Sequence, residues 1–576
     1  MNWRAAGLVV MMIVGGCSES YGESTAATEA GREQVKQEAE NQAKNQEKNQ
    51  AKNQAKNQTG DQPGDQSTAN HVEVPRKENT SASQKDAGQL QETWLPLKPA
   101  VRPGRIQTER SGTVTPQLFP EKYTHVPGVL TFRGNALRDT PAYGTRVIRQ
   151  RKLETVWSFT TSSSSWGGGA GWTGQPVLVQ WSEETKLAMN LKAVYKSQKN
   201  FVEAIYASLD GNVYFLDLET GRQTRSPIRT GNPIKGSPSL DSRGFPLLYV
   251  GEGIPEKGTI GFGLYSLLDG KRLYYQKGID PFAPRKWGAF DSSALFNRSA
   301  DTLTVGGENG LLYTLKLNTR YDPGNKVLSI SPQPVKYKYA IDGKKGNPYQ
   351  GIENSVAAYK NLAFFSDNMG SLQAVNLQTM TPVWSNNHTD DTDSTIAVEV
   401  EQEHPYLYTG TEVDKQGSKG DAQLRKVDGI TGETLWRLHV PALTVKGEHP
   451  VNGGLLATPA FGKGKTGHLI FFTVARYKTL NGGLLLAIDK RTGKEVWRWN
   501  MPSYAWSSPV AVTDKSGTAY LIQSDSAGSM YLLDALQGKV LHKINLGANI
   551  EASPAVFDDM LVVATRGGKM YGVRMK

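Results

Sequence analysis

The chain has 576 residues, with 66 Lys and Arg against 55 Asp and Glu, a net charge of +11 and a single cysteine. One cysteine excludes a scaffold that is held together by intrachain disulfides. The basic residues form no long block, so the charge favours contact with anionic envelope polymers or lipid head groups and does not indicate nucleic-acid binding. The 60 Gly, 23 Tyr and 12 Trp suit one large all-β domain with an appendage.

The chain starts with the features of a secretory signal. Residues 1–4 are positively charged, residues 5–14 form an apolar run too short to span a membrane, and Val14-Gly15-Gly16-Cys17 follows. Residues 1–17 resemble a bacterial lipoprotein signal that ends in a lipobox, and this implies a lipid on Cys17. The alternative is an ordinary secretory signal followed by a chance cysteine. Both interpretations predict an extracytoplasmic protein, and the first predicts one anchored to a membrane.

Residues 18–95 are predicted to be a disordered tether. Four consecutive copies of (Ala/Glu)-Lys-Asn-Gln begin at Ala43, and no apolar stripe in this region offers a face to bury. Residues 96–150 are punctuated by Pro and Gly, which predicts an irregular lead-in packed on the surface of the following domain.

Residues 151–576 repeat one pattern of strands and turns. In its clearest copy, at 487–497, Asp489 and Thr492 tie a turn, Gly493 supplies a positive φ, and Trp497 lies on the next strand. Repetition at a period of roughly 40–60 residues predicts a β-propeller, with each tryptophan packed between neighbouring blades. Other copies of these motif residues are Asp428, Thr431, Gly432, Trp436, Trp384 and Trp157.

The repeat can be counted, and the count predicts eight four-stranded antiparallel blades. The last copy stops before its tryptophan strand, while an unpaired copy of that strand, at 152–159, precedes the first blade. Joining the two would remove both exposed edges, so we expect the eighth blade to be completed by an N-terminal strand. The signals that start the innermost strands begin at Gly174, Gly236, Asp291, Glu353, Asp393, Ala457, Ser507 and Ala552.

The motif at 487–497 resembles the tryptophan-docking repeat of the PQQ-like (quinoprotein) propeller superfamily. The segment Phe132-Arg133-Gly134-Asn135-x-x-Arg138 resembles the lead-in that often precedes such propellers. The resemblance covers about residues 125–576 and implies the propeller fold. It allows two classes of function, because the superfamily contains PQQ-dependent alcohol and sugar dehydrogenases as well as the propeller lipoprotein of the outer-membrane β-barrel assembly machinery.

Candidate binding residues lie where the innermost strands start, since these strands line the central channel of a propeller. Carboxylates that converge there would favour a cation or raise one another's pKa, and aromatic rings would give a ligand a flat face. The alternative is that they are ordinary acidic residues at loop-to-strand junctions. The candidates for the channel rim are Asp291, Glu353, Asp393, Glu551, Trp172, Trp287 and Trp506.

Two further motifs are interpreted as surface features. The glycine-rich segment 166–172 resembles a phosphate-binding loop, but a strand follows where a helix is required, which favours a flexible surface loop. The acidic segment 388–393 lacks the Gly and the distal Glu of a calcium loop, which favours a solvated turn.

The resemblance implies that a quinoprotein dehydrogenase clamps PQQ between a Trp and a disulfide of adjacent cysteines, beside calcium and a catalytic Asp. Cys17 alone provides no such disulfide, and no Cys-x-x-Cys-His haem motif is present. We therefore predict no catalytic residue, no metal and no cofactor; PQQ with calcium belongs to the alternative function of an alcohol or sugar dehydrogenase. The expected protein is a monomeric binding or scaffolding module of the cell envelope, with an envelope protein or cell-wall component as its partner.

Overall fold

The structure is a computed structural model that describes Leu95 and residues 106–171, 174–341, 349–386, 390–446 and 451–576. These residues belong to one compact unit, and their strands form the eight blades of a β-propeller, which confirms the predicted fold. The predicted signal peptide with Cys17, and the tether apart from Leu95, lie outside the described residues. Within the described segments, no helix is long and apolar enough to cross a membrane.

The lead-in and the first four blades contain five strands besides the four of each blade, together with two short helices. The lead-in strands are β1 (Ile106–Ser111), β2 (Gly128–Val129) and β3 (Ala142–Tyr143), and β4 (Leu153–Thr160) follows them. Blade 1 has β5 (Val177–Gln180), α1 (Glu183–Ala188), α2 (Ala193–Ser197), β6 (Val202–Ala207), β7 (Asn212–Asp217) and β8 (Ile228–Arg229). Blade 2 has β9 (Ser239–Leu240), β10 (Leu247–Gly251), β11 (Gly261–Ser266) and β12 (Arg272–Lys277). Blade 3 has β13 (Leu295–Asn297), β14 (Thr302–Gly306), β15 (Leu311–Lys316), a separate hairpin of β16 (Arg320–Asp322) and β17 (Val327–Ser329), and β18 (Gln333–Ile341). Blade 4 has β19 (Ala357–Tyr359), β20 (Leu362–Ser366), β21 (Leu372–Asn376) and β22 (Thr381–Asn386).

The last four blades follow the same order. Blade 5 has β23 (Ala397–Glu401), β24 (His404–Thr409), β26 (Lys419–Asp428) and β27 (Thr434–Leu443), with β25 (Glu412–Val413) between its second and third strands. Blade 6 has β28 (Gly453–Gly454), β29 (Ala460–Phe461), a 3-10 helix (Gly464–Thr466), β30 (Leu469–Ala475), β31 (Gly483–Asp489) and β32 (Glu495–Met501), and β25 joins its sheet. Blade 7 has β33 (Val510–Thr513), β34 (Ala519–Ser524), β35 (Ser529–Asp534) and β36 (Val540–Asn545). Blade 8 has β37 (Ala555–Phe557), β38 (Met560–Thr565) and β39 (Lys569–Met575).

The core lies in the seams between blades. Each blade is sandwiched between two neighbours, so its second strand is buried on both faces; β30 and β34 are buried at every residue. The outer strand β32 instead alternates between exposed and partly buried positions. Apolar side chains of adjacent blades form shared clusters, which makes the fit of each seam the main packing requirement of the fold.

A tryptophan on the outer strand of one blade docks on the turn of the next. The indole Nε1 of Trp436 in blade 5 donates to the carbonyl of Lys490 in blade 6 at 2.9 Å, and its ring covers Gly493. A Cβ on Gly493 would lie 2.8 Å from Cγ of Trp436, and the φ of this residue is +70°. Glycine is therefore required both by the turn and by the ring. Trp384 and Trp497 dock on the blades that follow them in the same way.

A β-bulge turns these tryptophans toward the seam. In blade 6, Ala487 faces Trp497 across the hairpin, and the register then shifts so that Ile488 faces Glu495. The same shift follows the tryptophan pair in blades 4 and 5. A bulge bends its strand and re-aims a side chain, which accounts for the common direction of these rings.

The N-terminal strand β4 closes the ring. It pairs antiparallel with the whole length of β39 and becomes the outer strand of blade 8. Trp157 in β4 then docks on blade 1, where it donates to the carbonyl of Leu218 at 2.8 Å. The predicted completion of the eighth blade by an N-terminal strand is confirmed, and both edges of β39 are paired.

Residues 128–141, which we name the hub segment, cross the centre of the propeller. The hub segment begins with β2, which pairs with β5 in blade 1. This part of the lead-in lies among the innermost strands, deeper than the surface position that the sequence predicts. Amides of innermost strands donate to its carbonyls at 2.8–3.0 Å, and the donors are Leu240 in blade 2, Ala358 in blade 4, Val398 in blade 5 and Val556 in blade 8.

Two fully buried arginines extend the contacts of the hub segment to the remaining blades. Arg133 and Arg138 both have a positive φ, of 57° and 60°. Burial lowers the pKa of each guanidinium to about 9, so both stay charged near neutral pH. A buried cation requires hydrogen-bond acceptors, and backbone carbonyls supply them here. The acceptors include the carbonyls of Ser293 in blade 3, Val356 in blade 4, Pro459 in blade 6 and Pro509 in blade 7.

The conformation of the loop between the two arginines explains why the Phe-Arg-Gly-Asn motif contains Gly134 and Asn135. Gly134 has a φ of +88°, and a Cβ there would lie 1.8 Å from the carbonyl oxygen of Thr140. The side chain of Asn135 donates to Asp139 at 2.7 Å and fixes the loop from within. The motif is therefore a compact loop from which the side chains of Arg133 and Arg138 extend to the blades.

Replacing Gly493 with Ala is expected to destabilise the protein more than replacing Gly517 with Ala. The two glycines have a φ of +70° and +78°, so both variants carry the similar cost of about 1–2 kcal/mol for a left-handed residue. Only at Gly493 does the new methyl group meet Trp436, because nothing lies within 4 Å of the Cβ position at Gly517. Displacing the ring adds about 1–3 kcal/mol. Urea unfolding midpoints measure the difference, and equal midpoints would contradict the docking of Trp436 on this turn.

Candidate functional site

The topology brings two sets of loops together at one end of the channel. The lead-in contacts the turns that follow innermost strands, such as Asp558 after β37, whose amide donates to the carbonyl of Tyr143. The signals that start the innermost strands therefore lie at the opposite end, which we name the rim. In an antiparallel blade, the connection between the second and third strands returns to this same end.

The first group of acidic residues at the rim encloses a lysine. Oxygens of Asp291, Glu308 and Glu353 lie within 4.8 Å of one another. The ammonium group of Lys235 contacts Asp291 and lies 3.8 Å from Glu308. The indole of Trp287 donates to Glu308 at 2.8 Å. The rim candidates Asp291, Glu353 and Trp287 thus belong to one cluster. The positive charge of this cluster is that of Lys235.

The charges of this cluster shift one another's pKa. Burial, and then the charge of Glu353, raises the pKa of Glu308 to about 8. Burial also raises the pKa of Asp291, against the opposing effect of Lys235. For Lys235 burial acts in the other direction, but the three carboxylates outweigh it and raise its pKa. The cluster therefore holds a charged lysine and at least one carboxyl group that stays protonated near neutral pH.

A small cavity lies between the rim and the hub segment. It measures about 10 Å³, which is roughly the room that one water molecule needs. Phe132 of the hub segment is its apolar wall toward the channel interior, and the rim candidates Glu353, Asp393 and Trp506 contribute to the other sides. Ser355, Thr395, Leu456, Thr458 and Ser508 complete its lining.

A second group of carboxylates lies in blade 5. Oxygens of Asp391, Asp393 and Glu412 approach within 4.8 Å of one another, and all three residues are buried. The amide of Glu412 donates to the carbonyl of Asp391 at 2.8 Å, which joins the connection after β24 to the loop before β23. Oxygen ligands at this spacing are of the type that calcium prefers.

Two segments that the sequence assigns to the surface are buried. Asp390 and its two acidic neighbours have less than a tenth of their surface exposed, and its carboxylate accepts from the amides of Asp414 and Lys415. The prediction of a solvated turn was wrong for these residues; His388 lies outside the described part of the chain. In the glycine-rich segment, Gly168 and Gly169 are buried where blade 8 meets blade 1, so a flexible surface loop was also wrong there.

Of the remaining rim candidates, Glu551 lies apart from the two acidic groups. Glu551 is buried in blade 8, accepts from Asn549 at 2.8 Å and lies 3.7 Å from Arg566. Burial raises its pKa to about 7, against the opposing effect of Arg566. Trp172 lies outside the described residues. The rim candidates are thus divided among a lysine-centred cluster, a small cavity and a separate pair in blade 8.

Sequence reasoning missed Lys235 and Glu308. Lys235 directly precedes the start signal of blade 2, one residue before Gly236, and was passed over in favour of acidic residues. Glu308 lies in the connection between β14 and β15, which the topology returns to the rim. The connections between the second and third strands of the blades also lie at the rim, and an acidic residue in such a connection is the signal that identifies Glu308.

Replacing Glu308 with Gln should make stability less dependent on pH. The pKa of Glu308 is raised from 4.5 to about 8 on folding, so the folded state binds the extra proton in this window and loses stability as pH rises through it. Glutamine has no proton to lose. We expect Glu308→Gln to match the wild type near pH 5 and to exceed it near pH 9 in urea midpoint. The exposed control Glu433→Gln should follow the wild type throughout; a Glu308→Gln difference that is constant with pH would contradict the assignment.

Comparison with known proteins gives a family match over the last part of the chain. Residues 481–576 match the family model described as outer membrane protein assembly factor BamB. No curated protein shows significant sequence similarity to the chain.

The chain is similar to solved structures at low sequence identity. BamB from Moraxella catarrhalis is 14% identical, with a TM-score of 0.46, and the match covers 73% of this chain and 99% of that chain. Quinohemoprotein alcohol dehydrogenase from Comamonas testosteroni is 14% identical, with a TM-score of 0.39 and coverage of 78% and 80%. A europium-containing methanol dehydrogenase is 14% identical, with a TM-score of 0.39 and coverage of 78% and 98%. The eight blades make the domain a β-propeller, and its residues 481–576 are similar to the family described as outer membrane protein assembly factor BamB.

Proposed function

We propose that the protein is a lipid-anchored, extracytoplasmic propeller that acts as a binding or scaffolding module in the bacterial cell envelope. The observation that carries this proposal is the filled centre of the propeller. The hub segment occupies the channel with two buried arginines, and the cavity beside it holds about one water molecule. A protein built in this way offers its faces and seams, rather than its channel, to a partner.

The alternative is a PQQ-dependent alcohol or sugar dehydrogenase, and the rim carboxylates are the observation in its favour. The described residues do not fit the cofactor. The cavity between Glu353, Asp393 and Phe132 measures about 10 Å³, far less than the 300–1,000 Å³ typical of ligand sites. Lys235 already supplies the cation of the first acidic group, and the sequence has no second cysteine for a disulfide clamp.

Anchoring can be tested through Cys17. Cys17→Ser should move the protein from the membrane fraction to the soluble fraction, because the lipid that would hold it is attached to this thiol. The adjacent Ser18→Ala variant is the matched control and should stay with the membrane. Fractionation of cells that produce each variant measures the outcome, and full retention of Cys17→Ser in membranes would rule out the lipid anchor.

The enzyme alternative can be tested by reconstitution. Purified protein incubated with PQQ and calcium is expected to show no saturable change in quinone absorbance and no dye reduction with alcohols or sugars. The matched sample is a variant in which Asp291, Glu353 and Asp393 are all changed to Ala. Turnover by the wild type that this variant lacks would make the dehydrogenase the correct function.

A further inference from the structure

Blade 1 has the turn of the repeat but an arginine in place of its tryptophan. Thr220 donates from its amide and its hydroxyl to Asp217 at 2.8 and 2.6 Å, as in the turn that begins at Asp489. Trp497 is the eighth residue after Asp489, and the eighth residue after Asp217 is Arg225. The side chain that should dock on blade 2 is therefore a guanidinium.

Arg225 uses the hydrogen-bond acceptor that a docking tryptophan would use. Its Nη1 donates at 3.0 Å to the carbonyl of Leu267, the second residue of the turn in blade 2. Trp436 likewise donates to the second residue of the turn in blade 6. The charge of Arg225 is balanced by the buried Glu203, which accepts from Nε at 3.1 Å and from Nη2 at 2.6 Å. Arg225 is thus locked in the seam as a structural substitute.

The substitute does not cover the glycine of the turn. A Cβ on Gly270 would meet only Ile228 Cγ1, at 3.8 Å, whereas the nearest ring atom lies at 2.5–2.8 Å from the Cβ position of each of the four glycines under docked tryptophans. These four are Gly221, Gly432, Gly493 and Gly538.

A cavity of about 470 Å³ opens at this seam, within the usual size range of ligand sites. We name it the seam pocket. Buried Arg225, Ile228 and Tyr265 form its inner lining together with Gly270, and the exposed Arg229 and Arg272 stand at its mouth.

The lining of the seam pocket defines the chemistry of its ligand. The uncovered peptide of Gly270 leaves a ring a surface to pack on, and Ile228 and Tyr265 border this surface. The charge of Asp269 at the mouth is balanced by Lys271, at 3.1 Å. The remaining charges at the mouth are the two exposed guanidinium groups, which favour a carboxylate.

We propose that the seam pocket binds an exposed aromatic side chain of a partner protein that carries an acidic residue next to it in sequence. The inference rests on the proposed function as a binding module and names the chemistry of its partner. Four other seams of the ring receive a tryptophan from a polypeptide strand on the same kind of turn, and the positive mouth complements an acidic segment.

The test measures binding of two labelled peptides to the purified full chain by fluorescence anisotropy. The peptide Glu-Trp-Glu, with blocked ends, is expected to bind at least tenfold more tightly than Glu-Ala-Glu. The double variant Arg229→Ala/Arg272→Ala should weaken binding of the Trp peptide roughly tenfold, because two surface ion pairs are lost. The control variant Arg320→Ala/Arg437→Ala removes two other exposed arginines and should bind as the wild type does.

A second variant fills the pocket from within. Glu203→Gln/Arg225→Trp restores the tryptophan of the repeat without leaving a buried carboxylate unpaired, and it should abolish peptide binding. Should this variant fail to fold, as judged by near-UV circular dichroism, the surface double variant decides the test. Equal binding of both peptides, no binding of either, or undiminished binding to a folded Glu203→Gln/Arg225→Trp protein would overturn the proposal.

Free indole-3-acetate separates a protein partner from a small metabolite. It carries the same ring and carboxylate, and we expect it to bind more weakly than the Trp peptide; equal or tighter binding would overturn the assignment to a protein partner. Failure of these titrations would leave the Cys17→Ser fractionation result unaffected, so the pocket and the anchored role are judged separately.

Discussion

Four seams of the described propeller depend on a contact between an indole ring and a glycine of the next blade. The turn needs glycine for its positive φ, and the ring needs it because any Cβ would collide with the indole. Each docked tryptophan thereby fixes the spacing of two blades, and the indole hydrogen bond to the turn sets their orientation. Because Trp157 makes the same contact from the N-terminal strand, the chain of contacts passes from the last blade to the first.

The hub segment adds a second set of contacts between blades, which differ from the tryptophan contacts in the blades that they connect. Docking joins neighbours only. Arg133 donates to carbonyls of blades 6 and 7 and Arg138 to carbonyls of blades 3 and 4, so the hub segment links two distant parts of the ring. Burying a guanidinium group that has no carboxylate partner costs free energy unless backbone carbonyls accept its hydrogen bonds. The hub segment is therefore stable only when the ring that supplies these carbonyls is assembled around it. The same arrangement places two buried arginine side chains at the centre of the described part of the propeller.

Sequence reasoning reached the features that repeat and missed those that do not. The blade count could be predicted because the strand and turn pattern recurs along the chain, and the closing strand because residues 152–159 resemble a tryptophan strand with no turn before it. The hub segment occurs once, and its two arginines adopt a positive φ that no local preference favours, so only the assembled ring explains it. Lys235 and Glu308 are distant in sequence and meet through the pairing of strands. Arg225 could have been found from spacing alone, since it stands eight residues after Asp217, but its effect on the seam requires the neighbouring blade.

Native-state hydrogen exchange of the unmodified protein tests the central claim most directly. If the hub segment and the closing strand are integral to the ring, amides in peptides that cover residues 128–141 and 153–160 should exchange as slowly as those of β34 and β38. They should also lose protection together with these strands as urea is added, because one cooperative unit opens. Fast exchange in either segment while β34 and β38 remain protected would contradict the account.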